Sequence, residues 1–337
     1  MAIEKPIKIS FVIAARNGEH DKSFLTRLRT VLRLRSAFAA RHKLPCEFIV
    51  VQYNPPKSQP FYEDVLVDLA TDAMPIRVIT VPESFHTRIA PGRKGPFLEY
   101  VAKNIGIRRA HGEFILATNL DIVYSEEMVA RLAQPFAKNT VYEARCHDLN
   151  IREIADSIDA DTALEICHNH VDRIWTEHGL LYVSWSRWLK RLLNHRHPLS
   201  FIRNLTMCPL CNSIKKFLPA QPIKDVAPGH FTLAHRDAWH KVRGYDQRQL
   251  IDSYLDSYAI GMFACHGFKQ VVLPEPIYHI KHNINPLLRK PMGVEKFKQD
   301  MKMMAETGIP YAVYSKDWGF PNEQFSDIML RTNEKKT

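Results

Sequence analysis

The chain has 337 residues, of which 45% are hydrophobic and 24% charged, enough for one large or two modest globular domains. It contains no low-complexity segment, no repeat and no run near the ~20 apolar residues of a membrane-spanning helix, and its six cysteines are too sparse for a disulfide scaffold. The formal net charge of +10 suits an anionic partner such as nucleotide phosphates, nucleic acid or an anionic lipid surface, without choosing among them. Residues 1–6 carry no signal-peptide pattern, so a reduced, cytoplasmic setting is expected.

In chain order, Ile7 to Ala14 is a β-rich run that ends at a turn over Ala15-Arg16-Asn17-Gly18. Phe24, Leu25, Leu28, Val31, Leu32 and Leu34 then recur at helical spacing with arginines between them, which predicts an amphipathic helix. Glu47 to Gln52 is a second strand, stopped by Tyr53-Asn54-Pro55-Pro56. A helix is expected from Glu63 to Ala70, a third strand over Ile76–Val81, a basic Gly/Pro-rich loop from Pro82 to Pro96, and a helix over 97–110. This alternation of strands and helices implies a parallel sheet with helices on both faces, whose ligands bind at the carboxyl ends of the strands. Asn17, Asn54, Asn119 and Asp121 all fall at such ends.

The run from Gly112 to Ile122 reads as a short strand ending on Asn119 and Asp121. Alternate residues of a strand face the same way. An amide and a carboxylate on one side of a strand end suit a hard divalent cation and the phosphates it carries.

Residues 150 to 222 break the rhythm. Leu181–Leu205 places Trp185, Trp188 and leucines along one helical side with Arg187, Lys190 and Arg191 elsewhere. That is the make-up either of an interfacial helix or of a helix packed on its own domain. Cys208-Pro209-Leu210-Cys211 has the spacing of half a zinc site, with Cys167, His168, His170, His195 and His197 as completing ligands, but no second C-x-x-C exists. Compact structure resumes at Gly229-His230-Phe231 and continues through Asp252 and Asp256 to a strand over Gln270–Leu273 and to His279 and His282. No nucleic-acid-binding module is recognisable.

Four blocks, in this order, resemble the GT-A glycosyltransferases, in particular family 2-like members. They are Ser10–Asn17; Ala102–Phe114 running into Asn119-Leu120-Asp121; Gly229–Asp246; and Asp256 with Gly267, followed by His279 and His282. The resemblance covers most of residues 7–283 apart from the insertion. It implies an α/β GT-A fold, with a mostly parallel sheet, flanking helices and a helical insertion. The single domain would span 1–310, as a nucleotide-binding half (1–149), the insertion (about 150–222) and an acceptor-binding half (223–310), followed by an extension over 311–337. It implies transfer of a sugar, with inversion, from a nucleotide-diphosphate donor, UDP-sugar first, to a hydroxyl of a glycan or lipid-linked glycan. Separately from the resemblance, the composition of the insertion and of its Arg/Trp-rich helix suggests an acceptor displayed at a membrane surface, with peripheral contact to an anionic membrane.

Mn2+ or Mg2+ would sit on Asp121, with Asn119, His282 and His279. Asp256, with Asp252 as the competing candidate, would be the general base. Ala15, Arg16, Asn17, Gln52, Asn54, Lys103, Asn104, Thr118, Gly229 and His230 would line the donor site. Three positions depart from the family pattern. Asn119 replaces the usual first aspartate, Gln52 stands where an acid commonly reads the nucleobase, and Leu255 precedes Asp256 where a second acid is common.

Overall fold

The apolar runs that alternate with helices pair side by side. A computed structural model describes residues 6–17, 23–71, 74–93, 95–177, 179–183, 189, 223, 226, 228–248, 254–282 and 293–330. Strands β1 (Ile9–Ala15), β2 (Cys46–Tyr53), β3 (Ile76–Val81) and β4 (Phe114–Thr118) form a parallel core in the order β3-β2-β1-β4. The strands are buried on both faces, which is why they read as continuous apolar runs rather than alternating ones. Phe11, Ile13, Phe48 and Val50 join one apolar cluster with helix α1 (Phe24–Arg41), while Val12, Ala14, Ile49 and Val51 join a second with the helix over Glu99–Arg108. The two-residue period of a strand thus feeds two cores.

The expected helix over 63–70 is a four-residue turn, α2 (Tyr62–Val65), followed by a 3-10 turn at Val67–Leu69. The loop expected over 82–96 contains α3 (Glu83–Ile89), ahead of α4 (Glu99–Arg108). Gly106 explains how α4 lies so close to the sheet, since a Cβ there would meet Val12 Cγ1 at 2.6 Å and Val51 Cγ2 at 2.9 Å.

Beyond the core the sheet is mixed. After β5 (Ile122–Tyr124) and α5 (Glu126–Leu132) come β6 (Thr140–Leu149), α6 (Ala160–Asn169) and the hairpin β7 (Val171–Thr176) with β8 (Gly179–Tyr182). The described part of the insertion therefore holds a β-hairpin beside helix α6, and β7 pairs antiparallel with β6. Next are β9 (Phe231–His235), α7 (Arg236–Val242), α8 (Leu255–Cys265) and β10 (Lys269–His279), then α9 (Val294–Thr307) and β11 (Ser326–Leu330). The sheet continues from β4 through β9, β6 and β10 to β5, with β9 antiparallel to both neighbours and β10 parallel to β6. The β6–β10 register slips between Leu273 and Ile277, around Pro274 and Pro276, which cannot donate to the ladder.

At the far edge β11 pairs antiparallel with β3, and Trp318 is buried, so residues 318–330 belong to the packed structure. The segment holding Trp185, Trp188, Cys208 and Cys211 lies outside the described residues, as does Asp252. Among the described residues no helix is long and apolar enough to cross a membrane.

Candidate active site and metal centre

The carboxyl ends of β1, β2 and β4 share one edge of the parallel core, and β9 starts there because Phe231 pairs with Thr118. β6 and β10 also finish at that edge, where Asp148 pairs with His279, and β5 begins there with Ile122 opposite His279. This topology gathers side chains far apart in sequence around the turn after β4.

That turn carries Asp121. The chain leaves the extended conformation after Thr118, so the expectation that Asn119 and Asp121 share one strand face does not carry through. The amide oxygen Oδ1 of Asn119 instead accepts from Lys103 Nζ at 2.7 Å. Asp121 Oδ2 lies 3.3 Å from His282 Nε2 and 3.8 Å from His279 Nε2. Asp121, His279 and His282 offer ligand atoms that all lie within 4.8 Å of one another. Asp121 Oδ1 and His279 Nε2 are buried without a hydrogen-bond partner among the described residues. A buried carboxylate oxygen and a buried imidazole nitrogen left unmatched are costly. One cation would satisfy both, so the residues fit a metal.

Burial raises the Asp121 pKa, but His279, His282 and His230 outweigh it and hold the carboxyl below its ordinary value. For His279, burial lowers the pKa, and the hydrogen bond to Asp148 with the charges of Asp121 and Asp148 leaves it raised. Burial together with nearby His279 pulls His230 down to about 3, so at neutral pH it is an uncharged ring, 4.5 Å from His279 centroid to centroid.

The turn is braced from the opposite side. Arg35 of α1 is buried, its guanidinium 4.0 Å from the Tyr124 ring centroid, and it donates to Ile122 O at 2.6 Å and Asn119 O at 3.3 Å. Two carbonyls flanking Asp121 are thus held by one cation whose pKa burial lowers to about 10.

A second acidic group stands beside this centre. Asp256 lies in the first turn of α8, where the helix N-terminus favours a carboxylate. Burial nevertheless dominates and raises its pKa, partly offset by the Ser257 backbone and by Lys103. Gly229 leaves room for it, since a Cβ there would sit 2.7 Å from Asp256 Oδ2. Lys103 joins the two groups: fully buried, its Nζ reaches Glu99 Oε1 at 2.7 Å, Asn119 Oδ1 at 2.7 Å and Gly229 O at 3.1 Å. Lys103 is therefore engaged inside the site with protein partners.

Other expected donor-site residues reach the same edge with protein partners. Ala15 pairs with Gln52, Arg16 donates to Asn54 O, and Asn17 donates to Gln59 Oε1 at 3.2 Å. Asn54, in the left-handed region at φ 47°, donates to Pro96 O. Thr118 donates to His230 O and accepts from Tyr124. Gln52 faces Glu63, 3.4 Å away, and accepts from the Tyr62 amide. The short α2 thus brings a carboxylate to the strand end whose own residue is an amide. Asn104 departs from the expectation: its amide group is bonded to the backbone N–H and C=O of Tyr245. It ties α4 to the turn after α7 rather than facing the site.

Asp148 and Glu63 were not singled out in the sequence. The signal for Asp148 was its place at the end of a strand, which only the pairing of β6 with β10 turns into contact with His279.

No family model matches the chain, and no curated protein matches it. Solved structures do. The catalytic domain of Drosophila β1,4-galactosyltransferase 7, in complex with xylobiose, matches at 9% identity over 90% of this chain and 82% of that one, TM-score 0.40. TarS of S. aureus matches at 13% identity over 92% of this chain and 41% of that one, TM-score 0.46. GalNAc-T7 with UDP, GalNAc and Mn2+ matches at 13% identity over 87% of this chain and 48% of that one, TM-score 0.45. The assignment of chemistry rests on the site itself.

Proposed function

We propose that the chain is a glycosyltransferase of GT-A type that moves a sugar, with inversion, from a nucleotide-diphosphate donor to a hydroxyl of a glycan or lipid-linked glycan. A UDP-sugar is the first donor to test. The observation that carries this reading is the pair of unmatched buried atoms, Asp121 Oδ1 and His279 Nε2, at the carboxyl ends of the strands, with Lys103 linking their surroundings to Asp256.

Asp121, His279 and His282 would hold a divalent cation, with Asn119 beside them on Lys103. Two imidazoles and one carboxylate favour Mn2+ over Mg2+, which prefers oxygen ligands and keeps its waters. When bound, the ion supplies Lewis-acid neutralisation of the leaving diphosphate. Asp256 accepts the proton of the attacking hydroxyl as that oxygen bonds to the anomeric carbon. The bond from that carbon to the diphosphate oxygen breaks, and its electron pair leaves with the nucleotide. The raised pKa of Asp256 makes it a stronger base than an exposed aspartate. Glu63, set against Gln52, is placed to accept from a nucleobase N–H.

The test is donor hydrolysis and transfer with a panel of nucleotide sugars, with and without Mn2+. The reading expects Mn2+-dependent turnover that Asp121→Ala abolishes. Donor binding without any turnover would instead make the chain a nucleotide-sugar-binding protein. Turnover insensitive to Asp121→Ala would refute the metal assignment.

A further inference from the structure

We propose that Asp148 is a positioning residue of the metal centre, held by strand β7 so that His279 presents a bare Nε2 to the ion. The inference rests on the metal reading above and adds to it the part played by the hairpin.

Asp148 is 5% exposed and its carboxylate is divided between two neighbours. Oδ2 accepts from Arg173 Nη2 at 2.6 Å and from Trp175 Nε1 at 3.0 Å, both on β7. Guanidinium and indole nitrogens carry only donors, so that oxygen can act only as an acceptor. Oδ1 lies 2.9 Å from His279 Nδ1. A carboxylate facing a ring nitrogen selects the Nδ1–H tautomer, which leaves the lone pair of the neutral ring on Nε2. That nitrogen is buried, has no hydrogen-bond partner among the described residues, and lies 3.8 Å from Asp121 Oδ2. A carboxylate that fixes the tautomer and angle of a ligating histidine is a recurring outer layer of metal sites.

The register makes the arrangement a property of three strands. Asp148 pairs with His279 across β6–β10 and with Arg173 across β6–β7. The hairpin that follows α6 in the insertion therefore holds the orientation of His279 through Asp148.

Replacing Asp148 with asparagine changes no volume but inverts this logic. Arg173 and Trp175 force the amide oxygen to their side, so the NH2 group must face His279 Nδ1. The ring then carries its proton on Nε2, aimed at Asp121, and cannot ligate. The same exchange beside a catalytic histidine is known to impose the wrong tautomer.

The experiment titrates the full chain with Mn2+ alone, following free Mn2+ by electron paramagnetic resonance, for wild type, Asp148→Asn and Trp175→Phe. Long-range 1H–15N NMR reads the His279 tautomer in the metal-free proteins. The expected result is a loss of Mn2+ affinity on the order of 10–100-fold in Asp148→Asn, with His279 moved to the Nε2–H form. Trp175→Phe should show a smaller loss, with its melting temperature near that of wild type. Unchanged affinity and tautomer in Asp148→Asn would overturn the proposal while leaving the metal centre intact. If Asp148→Asn does not fold, Trp175→Phe decides: undiminished Mn2+ affinity in that variant overturns the role of the hairpin. A wild-type protein that binds no Mn2+ would remove the metal reading first, and this proposal with it.

Discussion

Gly229→Ala tests the placement of the general base without touching it. Gly229 is not in the left-handed region, so alanine costs nothing in backbone strain. Its methyl group would lie 2.7 Å from Asp256 Oδ2, where ordinary contacts begin at 3.4 Å, so the carboxylate must retreat by about 0.7 Å. A misplacement of ~1 Å can cost ~100-fold in rate, and overpacking a filled interior typically costs about 1–3 kcal/mol. We expect kcat for transfer to fall by about 10–100-fold, with stability lower by about 1–3 kcal/mol in urea melts. KM for the donor should change little. The control is the same substitution in an Asp256→Asn background, where the alanine should remove nothing further, because residues that act through one group are not additive. Native kcat in Gly229→Ala, or an equal fractional loss in both backgrounds, would refute the reasoning.

Two further predictions concern buried charge. Asp256→Asn should lower kcat by about 10²–10⁴-fold and flatten a pH profile that, in wild type, rises as pH passes the raised pKa of Asp256. The sign for stability is opposite. A carboxyl whose folded pKa lies above its unfolded value stabilises the fold only at low pH, and loses that contribution as pH rises through the folded pKa. Asp256→Asn should therefore be more stable than wild type at pH 7, by a margin that shrinks as pH falls through the raised folded pKa; a variant less stable at pH 7 would contradict this. Arg77→Met should destabilise by about 3–5 kcal/mol, because it leaves Glu47 buried without its arginine and also removes two bonds to Asp327. Glu47 is 0% exposed, 3.4 Å from Arg77 Nη1, and its other oxygen accepts from Ser10 and the His111 amide. Adding Glu47→Gln should recover, in denaturant melts, the share of the loss that comes from the unpaired Glu47 carboxylate, and no recovery at all would count against the pair.

The α/β class and the strand ends were legible in the sequence because each is local. Apolar runs of strand length alternate with helical periodicity, and short connections between them leave little choice but a parallel core. Asn17, Asn54, Asn119 and Asp121 therefore fall along one edge, as expected. The partners of those residues were not legible, because they depend on which faces meet. Helical spacing does not show that Lys103 turns inward to Asn119 and Gly229 while Asn104, one position on, holds the Tyr245 backbone. The alternate-face rule applied to 119 and 121 only while the chain stayed extended. It turns after Thr118, and Asp121 meets histidines about 160 positions later. The pairing of β6 with β10 and β7 determines the rest: it sets Asp148 between Arg173, Trp175 and His279, a grouping that strand register creates and no local pattern encodes.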